Sequence, residues 1–316
     1  MKGKDLYALL PCPVKTVIES EFSEYVKELE QIENSTYDYL IEANANKNMA
    51  KHNYMDDYKT LDDIPSIVIS SGINDFYSKD FYNHFIANGQ FCGKFSKEYS
   101  NKLIDSFAKD PDYSYNIIAM NFLVMVVDLT KIGNRKIPSG FEDILDCSFR
   151  NSIAMRGKNN KYCETTLLAI FKEYGMEGIK CLKENVMGGY HPAEMVKMAG
   201  KNFDNAPVVS ILPYYYANLI QNKEKVKIVW PKEGAIVSPI TMLVKKDCEK
   251  KIQKIAEFFV SDTCVRLFSK ANFITLSDED SNNDLKDKKY YWPGWEFIHK
   301  NDIKKLIDEL NAVMFM

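Results

Sequence analysis

Residues 206–246 read APVVSILPYYYANLIQNKEKVKIVWPKEGAIVSPITMLVKK. The apolar run Val208–Leu212 has the length and β-branched content of a buried strand, and it stops at Pro213, where three tyrosines begin. Two further strands flank the turn WPKEG, residues 230–234. A strand that ends this way carries polar aromatic tips at its carboxyl end. In open α/β sheets ligands bind outside that end of the strands.

Working outward, strands alternate with helices. Asp5–Leu10 reads as a short strand ended by Pro11 and Pro13, and Val14–Gln31 carries Val17, Ile18, Phe22, Tyr25, Val26 and Leu29 at helical spacing. Thr36–Ile41 and Ser66–Ser71 read as strands, the second ending in Gly72 before an amphipathic segment over Phe76–Phe85. Tyr115–Leu129 is an apolar run too short for a bilayer and long enough to cross between two lobes. Beyond it, helices are expected at Pro138–Leu145, Thr165–Tyr174, Met176–Asn185 and Pro192–Ala199, with a strand at Asn151–Met155. Cys248–Lys270 reads as one amphipathic helix, Leu276–Lys289 as an exposed acidic loop, and the end as an aromatic anchor followed by a last helix. Alternation of this kind predicts an α/β fold with a mostly parallel sheet.

Composition bounds the function. A chain of 316 residues with 46% apolar residues is too long for one typical core, so two lobes are expected. The net charge of −3, with acids mixed into the Lys-rich runs at 223–227 and 286–289, argues against a nucleic-acid partner. Seven scattered cysteines, with no C-x-x-C pair and no zinc spacing, read as reduced thiols and favour a reducing interior. The start, MKGKDLYALLPCPVK, shows no signal-peptide pattern, so the protein is either cytoplasmic or carried on a chain from which an export segment has been removed.

Three blocks carry a family resemblance. PSGFEDILDCSFRNSIAM (138–155), KIVWPKEGAIVSPITMLVKK (227–246) and AEFFVSDTCVRLFSKANFI (256–274) resemble, in order and spacing, segments of the solute-binding proteins of ABC importers. That group includes ferric-ion, thiamine, polyamine and phosphonate binders. The resemblance implies a periplasmic-binding-protein-like type II fold with a ligand cleft between two lobes that close by a hinge. It places lobe one at 1–120 and 238–316, lobe two at 121–237, and the hinge crossovers near 120–128 and 230–240. It also implies a monomer that hands a small molecule or ion to an ABC permease at the cell surface or in the periplasm. The bare start and unpaired cysteines keep a second reading, a cytoplasmic ligand sensor on the same fold.

The expected ligand contacts are the residues on loops at the strand ends. They are Cys12 and Lys15 after the first strand; Ser70, Ser71 and the Gly72 amide; Arg156 and Asn159; His191; and Tyr214, Tyr215 and Tyr216. Ser70 to Gly72 before a helix start would make an anion cradle, with capping of that helix as the structural alternative. His191 before Pro192 reads either as a ligand contact or as a helix-start residue bonded to nearby backbone. Ferric-ion binders of the resembled group carry adjacent tyrosines after the same strand, so Tyr214 and Tyr215 admit a hard cation; Pro213 and the lack of an evident carboxylate–histidine set favour contact with an organic or anionic ligand, or simple packing. No cofactor is expected. Cys163 before a helix, with His191 elsewhere, is the one conceivable nucleophilic pair, but no nucleophile elbow or Gly-rich phosphate loop accompanies it, and an enzyme is not expected.

Overall fold

A computed structural model describes residues 3–44, 58–93, 95, 110–112, 114–158, 161–248, 250–276, 285 and 287–315. The chain begins β1 (Leu6–Leu10), α1 (Cys12–Glu33), β2 (Tyr39–Ala43), β3 (Ile67–Ser71) and β4 (Asn116–Asp128). Next come β5 (Ile153–Lys158), β6 (Lys161–Tyr162), α2 (Glu164–Asn185), β7 (Val186–Tyr190), α3 (Pro192–Met198), β8 (Val209–Pro213) and α4 (Tyr214–Asn218). The last part holds β9 (Val226–Val229), β10 (Ala235–Val244), α5 (Lys250–Phe259), α6 (Asp262–Lys270), β11 (Ile274–Thr275), β12 (Tyr290–Tyr291), α7 (Trp295–Lys300) and α8 (Ile303–Phe315).

Two compact units divide the chain, Met1–Met120 with Pro239–Lys286, and Asn121–Ser238 with Asp287–Met316. β4 and β10 each begin in one unit and end in the other. The carboxyl-terminal segment, assigned to lobe one by the sequence reading, packs in the second unit. There Tyr162 donates its amide to Asn311 Oδ1 at 2.9 Å, Lys172 Nζ reaches the Pro293 carbonyl at 2.6 Å, and the Tyr162 and Phe315 rings stack at 4.9 Å.

In the first unit the strand order is β2-β1-β3-β10-β4, with β11 on β4. β1 runs parallel to β2 and β3, whereas β10 is antiparallel to β3. α1 forms because Val14, Ile18, Phe22, Val26 and Leu29 make one buried stripe at helical spacing. Phe22 sits within 5.0–5.3 Å, centroid to centroid, of Tyr39, Phe258 and Phe259. Burying such a ring contributes about 1.5–3 kcal/mol, so this contact holds α1 and α5 together. Cys248–Lys270 is two helices: Ser261 accepts the Cys264 amide and starts α6 afresh. A cap of that kind outweighs an unbroken apolar stripe.

In the second unit the order is β4-β8-β5-β6, with β7 on β5, β9 on β4 and β12 on β10. β5 is parallel to β7 and β8, and β4 is antiparallel to β8 and β9. The sheets are therefore mixed, not mostly parallel. All 13 residues of β4 are buried, and a strand covered on both faces reads the same in either direction. α2 covers both helices expected at 165–185. It turns at Gly175, whose φ of 63° and ψ of −163° lie outside the helical region and suit glycine. The helix expected over 138–145 is absent. Asp143 accepts the Ser139 amide and hydroxyl and the Gly140 amide, leaving only a short 3₁₀ turn at Asp143–Leu145.

No disulfide joins any of the seven cysteines, and no described helix is long and apolar enough to cross a membrane. Asn159, a ligand contact expected from the sequence, lies outside the described residues, as does most of the Leu276–Lys289 loop.

Candidate functional site

In the second unit β5, β7 and β8 run parallel, so their carboxyl ends meet at one edge. Met155 is in register with Ile211, and Arg156 with Tyr190. That register brings Arg156, Tyr190–His191 and Tyr214–Tyr216 to neighbouring strand ends. Two glycines let β5 and β7 come this close. A Cβ on Gly157 would lie 3.1 Å from Gly189 Cα and 2.7 Å from the Tyr162 ring, and one on Gly189 would lie 2.8 Å from Gly157 Cα.

Arg156 is the most telling residue of the edge. Its Nε is buried without a hydrogen-bond partner, and no carboxylate pairs with it among the described residues. By contrast, Arg150, six residues earlier, makes a 2.6 Å bond to Glu184. A buried guanidinium N–H with no acceptor costs stability unless something else satisfies it.

His191 caps α3. Its Nδ1 accepts the Ala193 amide at 3.2 Å, while Glu194 receives the His191 amide at 2.7 Å. The helix-start reading is therefore correct for Nδ1. In the neutral ring this bond puts the proton on Nε2, which remains a donor. Burial holds the imidazole below its ordinary pKa of 6.5; Glu194 opposes the shift, and the charges of Arg156 and Lys158 add to it. Arg156 and Lys158 thus set a positive field around a neutral donor.

Tyr214, Tyr215 and Tyr216 open α4 and are half-buried. They do not share a role. The Tyr214 ring meets Trp230 edge-on at 5.5 Å, and Trp230 packs on Tyr290 at 5.4 Å and Phe122 at 5.9 Å. The Trp230 Nε1 donates to the Lys289 carbonyl at 2.5 Å, so Tyr214 is fixed in an aromatic cluster. Tyr216 lies against His191, ring centroids 6.1 Å apart, and Tyr215 packs edge-on against Tyr216 at 5.4 Å. In the WPKEG turn, Glu233 accepts the Phe141 amide at 3.1 Å and the Tyr174 hydroxyl at 2.9 Å.

The carboxyl edge of the first unit is different. Cys12 is the first residue of α1, and Lys15, one turn in, is bound to Glu19 at 2.6 Å. Ser70 is buried, and Ser71 donates its hydroxyl to the Leu9 carbonyl at 3.0 Å. The Gly72 amide bonds the Pro239 carbonyl at 2.7 Å, and Asn74, not a serine, caps the following turn. The anion cradle expected at Ser70–Gly72 is therefore closed by the sheet itself. Cys163 is a buried residue at the start of α2.

Sequence reasoning missed Lys158, Tyr190, Glu194 and Trp230 as members of the second edge. The capping pair His191–Glu194 was legible as a residue at the helix start with Glu three positions on. β7 was hidden by Gly188 and Gly189, which dilute its apolar pattern.

Residues 62–301 match the model of a family described as bacterial extracellular solute-binding proteins, and the chain belongs to that family. A search of curated sequences found no match. Among solved structures, the apo ferric ion-binding protein A of Pasteurella haemolytica superposes with a TM-score of 0.66 at 12% identity, covering 99% of this chain and 98% of that one. An ABC transporter structure from Clostridium perfringens gives 0.64 at 13%, covering 98% and 99%. The substrate-binding protein of an Agrobacterium tumefaciens ABC transporter gives 0.61 at 14%, covering 98% and 95%. The chain has the periplasmic-binding-protein-like α/β fold that the blocks of its sequence resemble. The family is one of solute-binding proteins, and it gives no support to the cytoplasmic-sensor alternative.

Proposed function

We propose that this solute-binding protein takes a small organic anion at the carboxyl edge of β5, β7 and β8 and delivers it to an ABC permease. The observation that carries the reading is Arg156, a guanidinium with a buried, unpartnered Nε beside His191 and Lys158. Guanidinium groups recognise carboxylates and phosphates through paired N–H donors. His191 Nε2 supplies a neutral donor next to it, and Tyr215 and Tyr216 offer ring faces and hydroxyls for the organic part. Arg156, which pairs with no carboxylate among the described residues, is best met by a ligand of negative charge. Binding is coupled to hinge closure of the two units, whose shared strands β4 and β10 carry the chain across.

A thermal-shift screen of carboxylates, phosphonates, polyamines, thiamine-like cations and metals, with mass spectrometry of whatever co-purifies, tests the reading. An anion at a hundredfold excess over Kd should add about 2.7 kcal/mol of stability, and Arg156→Ala should remove that gain. Stabilisation by cations alone would overturn it. A second reading, a ferric ion held by tyrosine oxygens, is favoured by the adjacency of Tyr215, Tyr216 and His191 and by the ferric ion-binding protein among the similar folds. Its signature is a phenolate-to-iron absorption band with ferric salts, lost in Tyr215→Phe or Tyr216→Phe.

A further inference from the structure

We infer that the first unit carries a second binding site, for a small zwitterion such as an α-amino acid or dipeptide, at the sheet edge opposite its candidate ligand edge. A groove of about 540 Å³ lies there, a volume in the range of small-molecule sites. It is lined by Asp5 and Ser66, which precede β1 and β3, by Lys245, Lys246 and Asp247, which follow β10, and by Asp62 and Gln90. Strand direction separates it from Cys12 and Ser70–Gly72. Those residues lie at the carboxyl ends of β1 and β3, about five residues or 17 Å of strand away.

The charges of the groove are not satisfied by one another. Lys245 is partly buried and feels the fields of Asp62 and Asp63, yet no ion pair joins it to a carboxylate among the described residues. Asp63 is held by Thr60, whose amide and hydroxyl it accepts, whereas Asp62 is exposed and makes no such bond. Nearby, the Gln90 Oε1 is buried without a partner, while the backbone of Gln90 is held by Phe85 and Lys246. An ammonium and a carboxylate held apart across a polar groove each leave an opposite charge to be supplied. A zwitterion supplies both at once: its carboxylate meets Lys245, and its ammonium meets Asp62 with Gln90 beside it. An anion alone would face Asp5, Asp62 and Asp247 as well as the lysines, and a cation alone would meet Lys245 and Lys246.

Titration calorimetry on the full chain with L-alanyl-L-alanine tests this, with N-acetyl-L-alanine and L-alaninamide as single-charge controls. Binding of the dipeptide should weaken at least tenfold in Lys245→Met and in Asp62→Asn, and both controls should bind at least tenfold more weakly than the dipeptide. Asp62 is exposed, so Asp62→Asn remains informative if Lys245→Met fails to fold. Arg156→Ala should leave dipeptide binding unchanged. The proposal is overturned if wild-type protein shows no binding, if either control binds as well as the dipeptide, or if Arg156→Ala abolishes binding and Asp62→Asn does not.

Discussion

The carboxyl edges of the two units use the same kinds of residues and end in opposite states. In the first unit the lysine, the serine hydroxyl and the glycine amide are all bonded within the protein: Lys15 to Glu19, Ser71 to Leu9 and Gly72 to Pro239. In the second, the buried Arg156 Nε has no partner among the described residues, and His191 keeps one nitrogen facing away from its cap. Polar residues at a strand end are therefore no evidence of a ligand until their hydrogen bonds are counted. An unmet donor in a folded protein is the stronger sign, because leaving it unmet costs about 1–3 kcal/mol.

That contrast can be broken most sharply at Arg156. Arg156→Ala should lower ligand affinity about a hundredfold, equivalent to about 2.7 kcal/mol, with little loss of stability; calorimetry and thermal unfolding read the two separately. Arg156→Lys should recover only part, since a lysine cannot present paired N–H donors. Gly72→Ala should do the reverse. At a φ of 74° an added Cβ costs about 1–2 kcal/mol, so denaturant unfolding should shift while affinity for the bound solute holds. Tyr216→Phe comes next, at about tenfold in affinity, with Tyr214→Phe close to neutral because the Tyr214 ring belongs to the Trp230 cluster.

His191 sharpens the comparison through pH. Its folded pKa lies below the ordinary 6.5, so the unfolded chain binds the proton more tightly. This contribution to stability is fully present above pH 6.5 and is lost as pH falls from there through the lower folded pKa. Ligand-free protein should therefore melt at lower temperature as pH drops from 7 to 5, and an anionic ligand should oppose the loss. His191→Asn, which keeps a helix-capping side chain, should flatten the slope. The smallest effect is expected at Lys15→Ala, a few tenths of a kcal/mol in stability and no change in affinity. A loss of binding there would show that the first edge contributes a charge after all.

Much of the fold was legible because apolar runs announce buried strands. β1, β3 and β8 and the stripe of α1 were placed within a few residues, and the break at Gly175 coincides with the gap read between two helices. Strand direction was not legible, since β4 and β10 are buried on both faces and their composition carries no sense of polarity. The destination of the last 30 residues was not legible either. It rests on contacts such as Tyr162 with Asn311, separated by 149 positions along the chain. The site was read as a set of residue types, and of these the register of β5, β7 and β8 brings Arg156, His191 and Tyr216 to one edge. What local pattern could not say was which of those groups the protein had already bonded for itself.

The contact between Gly157 and Gly189 limits how this protein can be redesigned. Two backbones that touch leave no room for a methyl group, so neither position can be used to narrow, widen or recharge the edge beside Arg156. If the proposed site is correct, a binder with altered selectivity is made by exchanging Arg156, His191, Tyr215 or Tyr216 over an unchanged glycine pair. A library that randomises residues 156–158 and 188–191 together should return glycine at 157 and 189 in nearly every folded clone, whatever solute it is selected to hold.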